Sequence, residues 1–227
     1  MSQTSGSCSL LGAAHDTHGA LPAVHTGDAV IDFERFYESV EWMAGQLASC
    51  GVSPGSRVGL AIRTGWEFVL AWHSLFESDA VTVPIDLGRR GEPTDPGVVD
   101  FVFAHVDQCA EIEELLEAVV AQSQSRAMYR VADDFVVVAL GASDPMRNEG
   151  GLIADAQTGA LDTAGQLVAE AAWIAEVDGV RRGARVLLEG DLGSRDTMLR
   201  ILACASAGAC VAVDAPFGVP EWGIPGA

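Results

Sequence analysis

Two stretches of the chain, 128 positions apart, carry the same pattern: Gly51-Val52-x-x-Gly55-x-Arg57-Val58 returns as Gly179-Val180-x-x-Gly183-x-Arg185-Val186. Each follows a run with helical periodicity and leads into a β-rich run. Glycine readily ends a helix in the left-handed conformation, and a second glycine permits a tight turn into a strand. The echo continues downstream at the same offset, where Ala80-Val81-Thr82-Val83-Pro84-Ile85-Asp86 lies over Gly208-Ala209-Cys210-Val211-Ala212-Val213-Asp214. Two copies are too few for a solenoid, which needs at least about three repeats. The pattern points to a duplicated α/β lobe.

The remaining periodicities fit that plan. Phe33, Phe36, Tyr37, Val40, Met43, Ala44 and Leu47 recur at helical spacing, and Arg57–Ile62 reads as a strand. Thr64 with Glu67 forms a capping-box pattern before a helix through Leu75, and Ala80–Pro84 is the next strand. A Gly/Pro/Arg-rich loop (88–96) separates it from an apolar strand at Val98–Val106. Ile112, Leu115, Leu116, Val119 and Val120 then fill a helical template, and Phe135–Leu140 is again a strand. After a polar linker at 143–151, the pattern gives strands at Leu152–Ala154, Arg185–Leu188 and Ala209–Val213. Helices fall between them, one opened by Thr163 with Gln166 and one spanning about 194–207.

Strands alternating with helices of this length imply βαβ units. The expected fold is therefore α/β, with two repeated Rossmann-like lobes of mainly parallel sheet flanked by helices, the second lobe truncated. The expected divisions are a flexible arm (1–27), a first lobe (28–148), a second lobe (149–214) and a Pro/Gly-rich tail (215–227).

Charge and composition exclude several classes. The 13 cationic residues are all arginine against 32 acids, a net charge of −19. Nucleic acid and anionic membrane surfaces attract basic patches, so neither is an expected partner. Without lysine there is no Schiff-base lysine, no lysine general base and no phosphate-loop lysine. The five cysteines form no C-x-x-C pair, and no run of about eighteen apolar residues marks a membrane span. We expect a cytoplasmic protein with reduced thiols. No G-x-S-x-G, H-E-x-x-H, G-x-G-x-x-G or EF-hand motif occurs. His15, His18 and His25 lack a visible fourth partner for a metal, and Glu111, Glu113, Glu114 and Glu117 lie off an apolar stripe as a solvated helix face. His73 and His105 read as packed or rim histidines, and Cys204 and Cys210 as buried thiols. Arg89 and Arg90 follow the strand ending near Asp86, where α/β folds place ligands, and form a possible anion clamp. No catalytic or metal-ligating residue is expected.

Several segments resemble the acyl-adenylating superfamily of acyl-CoA synthetases, peptide-synthetase adenylation domains and luciferases. Ile31-Asp32-Phe33-Glu34-Arg35-Phe36 resembles its T-Y-x-E-L stretch, 51–58 its G-V-x-P-G-D-R-V, Trp66-Glu67-Phe68-Val69 its P-E-F-V, and 80–86 its G-A-x-Y-V-P-I-D. In the second lobe, 182–187 and 207–211 sit where the family has P-G-D-R-V-L and A-G-A-x-V. The resemblance implies a phosphate loop, Y-T-S-G-T-T-G-x-P-K-G, at 154–163. There the chain reads Ala-Asp-Ala-Gln-Thr-Gly-Ala-Leu-Asp-Thr. A remnant of Gln157, Thr158, Gly159 and Asp162 is left, with Asp162 standing for the lysine and Asp155 adding a second negative charge where phosphates would lie. The family's adenine, metal and ribose motifs and its C-terminal lid fall beyond the position matching Val213.

The resemblance with these departures implies a non-catalytic, adenylating-enzyme-like protein that binds no cofactor. It would act as a binding or protein-interaction module in a biosynthetic pathway. The expected partner is a second copy, a full-length adenylating enzyme or a carrier protein. Two alternatives stand beside this: an acyl or aromatic acid binder using the interlobe cleft, and an enzyme with repurposed chemistry built on the cysteines, histidines and arginine pair.

Overall fold

A computed structural model describes residues 9–27, 29–62, 65–85, 99–108, 110, 127–132, 134–140, 150–153, 159–188 and 192–213. The expected helix at 112–120, the linker at 143–149 and the tail at 215–227 lie outside the described residues.

The seventeen-residue helix α2 (Phe33–Ser49) starts where Asp32 caps it, its side chain accepting from the Arg35 amide at 2.8 Å. It ends at Cys50, and Gly51 turns the chain at φ +98°. Strand β3 (Arg57–Leu60), helix α3 (Gly65–Glu77) and strand β4 (Val81–Pro84) follow. The second copy supplies α4 (Ala164–Val177), β10 (Arg185–Leu187), α5 (Arg195–Ala207) and β11 (Cys210–Val213). The repeated turn is the same object twice. Gly55, Gly179 and Gly183 also take positive φ, and Ser56 N donates to Ser53 O as Ala184 N donates to Arg181 O, each at 2.9 Å. The downstream echo shifts by one residue: Arg57 pairs with Val81, whereas Arg185 pairs with Cys210, so the second strands correspond at 129 positions.

The two copies centre two different sheets. β3 and β4 lie within a seven-stranded sheet ordered β6-β7-β5-β3-β4-β8-β9. Its other strands are β5 (Phe101–His105), β6 (Ala127–Val131), β7 (Phe135–Ala139), β8 (Gly151–Leu152) and β9 (Asp162–Thr163). β10 and β11 lie in a four-stranded sheet ordered β10-β11-β1-β2, in which β1 is Pro22–Thr26 and β2 is Ala29–Asp32. Pairings at the centres are parallel (β3–β4, β3–β5, β4–β8, β10–β11, β1–β11), with antiparallel strands added at the margins.

Two expectations are corrected. Residues 10–26 of the expected mobile arm are folded. α1 (Leu10–His18), capped by Ser9, is followed by β1 (Pro22–Thr26) and β2 (Ala29–Asp32), and β1 pairs in parallel with β11 through Val24 and Val211. Leu11 and Val24 are buried. Their partners lie nearly two hundred residues away, so no local periodicity announces them. The expected division at 148/149 also fails as a boundary between lobes. β8 and β9 follow it yet join the first copy's sheet, while β1 precedes it and joins the second copy's. The sheets share one core: α3 is buried on nearly every side and contacts strands of both, and Trp72 Nε1 donates to Met198 O in α5 at 3.3 Å.

Candidate functional site

The carboxyl ends of β4 and β8 lie side by side, because these strands pair in parallel and Ile153 N donates to Thr82 O at 2.8 Å. Ligands in open α/β sheets bind beyond such strand ends. The chain leaving β4 carries Arg89 and Arg90, and the chain leaving β8 carries Gln157 and Thr158; all four lie outside the described residues. The described part of this region begins at Gly159, with φ +62°, and continues through β9 into α4. β9 lies so close to β8 that a side chain on Gly151 would run into the Asp162 carbonyl. At the next residue the expected cap is realised: Thr163 N donates to Gln166 Oε1 at 2.8 Å and Gln166 N donates back to Thr163 Oγ1 at 3.4 Å.

Asp162 does not face the region as a free carboxylate. Arg195, the first residue of α5, donates through Nε to Asp162 Oδ2 at 2.6 Å and through its two terminal nitrogens to Glu170 at 3.0 and 2.7 Å. These bonds raise the Arg195 pKa, and the Arg195 bond holds the Glu170 carboxyl below its usual range. One guanidinium thus ties β9, α4 and α5 together while shared between two carboxylates. Sequence alone shows Asp162 but not Arg195, which lies 33 positions away and belongs to no motif.

The other sequence candidates are dispersed. Burial lowers the His73 pKa to about 3; its ring meets Phe36 edge-on at 5.3 Å, and its Nδ1 has no partner. It borders a gap of 10 Å³, room for about one water, lined mainly by apolar side chains such as Leu11, Val24, Phe36 and Val211. The gap lies between the four-stranded sheet, at β1 and β11, and the helices packed on it, and no strand of the seven-stranded sheet lines it. His105 accepts at Nδ1 from the Asp107 amide at 3.3 Å. Burial pushes the Cys204 thiol up to about 12 and raises Cys210, so neither is a thiolate at neutral pH. His15 stacks on Tyr37 at 4.9 Å, His18 packs against Phe33, and His25 lies in β1. Among the described residues no group of three or more His, Cys, Asp or Glu is arranged to hold a metal.

A family model described as AMP-binding enzyme matches residues 12–134, more than half of the chain. The chain belongs to the AMP-binding enzyme family. Solved structures agree on the fold. The chain superposes on unliganded O-succinylbenzoate coenzyme A synthetase from Bacillus subtilis with a TM-score of 0.65 at 14% identity. The match covers 93% of this chain and 45% of that one. The same Bacillus enzyme in complex with ATP and magnesium ion gives 0.64 at 14% identity, covering 92% and 58%. A long-chain-fatty-acid-CoA ligase from Archaeoglobus fulgidus gives 0.70 at 16% identity, covering 92% and 47%. The chain spans about half the length of these relatives. No curated protein sequence matches it. No described helix is long and apolar enough to cross a membrane.

Proposed function

We propose that this chain is a non-catalytic member of the AMP-binding family, working without a nucleotide as a binding or protein-interaction module in a cytoplasmic biosynthetic pathway. Its partner would be a second copy, a full-length adenylating enzyme or a carrier protein. The observation that carries this reading is Asp162. It stands where the family resemblance calls for the phosphate-loop lysine, and its carboxylate is already held by Arg195, itself shared with Glu170. A tetra-anionic nucleotide arriving there meets a cluster of two carboxylates and one guanidinium. Local charge would repel it, and the chain has no lysine to offset that charge. The residues present therefore do not fit ATP bound in the family's manner. ATP–pyrophosphate exchange across a panel of carboxylic acids, with calorimetric titration of magnesium ATP, tests the reading. No exchange and no binding heat are expected, and exchange above background with any acid would overturn it.

A further inference from the structure

The four-stranded sheet ends in two edges that match each other. At one end, β10 is bonded to β11 through Cys210 N to Ala184 O (2.7 Å) and Leu188 N to Ala212 O (3.0 Å). In a parallel ladder the residues between alternate, so Val186 also faces β11, while the N–H and C=O of Arg185 and Leu187 point away from it, to a side where no described strand pairs. At the other end, β2 pairs with β1 alone among the described strands. One cross-strand row runs Leu187, Ala212, His25, Val30 across a single face of the sheet. Its inner member Ala212 is buried, but the two ends are exposed large apolar side chains, Leu187 at 49% and Val30 at 52%. Two residues along lie Arg185 on β10 and, past a bulge in β1 between Pro22 and Val24, Asp32 on β2, whose carboxylate also caps α2.

We propose that the β10 edge of one copy pairs antiparallel with the β2 edge of a second copy, so that the sheets run on head to tail. Shifting one copy along the sheet sets Leu187 opposite Val30 and Arg185 opposite Asp32, because β2 runs opposite to β10. Apolar and opposite-charge pairs of this kind are the units that stabilise antiparallel sheet. Exposed Arg181 and Arg182, leading into β10, come to the same end of the seam as exposed Glu34, just beyond β2. Neither Arg181 nor Arg185 has an ion pair among the described residues. The seam thus brings a local cluster of arginines against acids in a chain whose net charge of −19 otherwise keeps copies apart. Unlike edges meet, so the contact is heterologous and leaves each assembly with a free edge unless it closes into a ring. This inference goes beyond the proposed function and holds whether or not the chain adenylates.

Sedimentation velocity of the full chain tests it. At about 0.15 M salt the long-range repulsion is screened beyond roughly 8 Å, and the weight-average mass should rise with concentration between about 10 and about 500 µM. Leu187→Pro removes an N–H with no partner among the described residues and an exposed side chain, and Val30→Lys sets a cation against Leu187 and Arg185. Each should melt like the wild type and remain monomeric, as should Arg185→Glu. Mixing Leu187→Pro with Val30→Lys leaves one intact edge of each kind and should give a 1:1 dimer that grows no further. A wild type that stays monomeric throughout, variants that associate as the wild type does, or a mixture that stays monomeric would each overturn the proposal.

Discussion

His73 and Arg195 show two ways a polar side chain lives inside this protein. His73 is buried without a partner for Nδ1, so its neutral form is favoured and its folded pKa, about 3, lies below the unfolded value near 6.5. The unfolded chain therefore binds the extra proton first. Stability from this group is full above pH ~6.5 and is lost as pH falls toward 3, at up to about 1.4 kcal/mol per unit. His73→Leu should flatten that part of the profile, and melting curves of both proteins at pH 7.5 and 5.5 check it by the difference in their losses. Arg195 instead holds two carboxylates at a site about a third exposed, where solvent screens the attraction. Arg195→Ala should cost about 1 kcal/mol and lower the melting temperature by roughly 2–4 °C. The deficit should shrink in about 1 M salt.

At the scale of elements, the capping box at Thr163 and the glycine pairs were legible because each has a local signature that needs no distant partner. A Cβ on Gly179 would meet nothing within 4 Å, so its φ of +66° is the whole of its requirement. Gly179→Ala should destabilise by about 1 kcal/mol and Gly179→Asn by less, since asparagine tolerates the left-handed region, with denaturant midpoints as the check. Elements whose reason is a partner elsewhere were illegible. β6 pairs with β7, but Met128, Tyr129 and Arg130 are exposed on both of its faces, so it lacks the alternation that marks a half-buried strand. β9, two residues long, was hidden inside the expected phosphate loop. Sequence shows Asp162 and the absence of lysine, but the arginine that holds Asp162 comes from another helix and carries no local signature.

For the whole molecule, the alternation of strands and helices gave the α/β class and its duplicated plan, while the assignment of strands to sheets could not be read from order. β1 lies between β11 and β2, so the first described strand is interior to a sheet completed by the last. A chain beginning at Ala29 should lose the pairing of both neighbours and uncover Val211 and Val213 in the core. Its thermal melt should lose cooperativity, in contrast to what a dispensable arm would give.

That placement also sets the order in which the protein can form. During synthesis from the N-terminus, α1, β1 and β2 leave the ribosome long before β11 exists, and Val24 waits for Val211 across almost the whole chain. The seven-stranded sheet has all its strands by Thr163, so it can assemble first on the nascent chain. The four-stranded sheet closes only at the end, which makes the meeting of the first and last described strands the slow, long-range step of folding and the signature that synthesis has reached Val213.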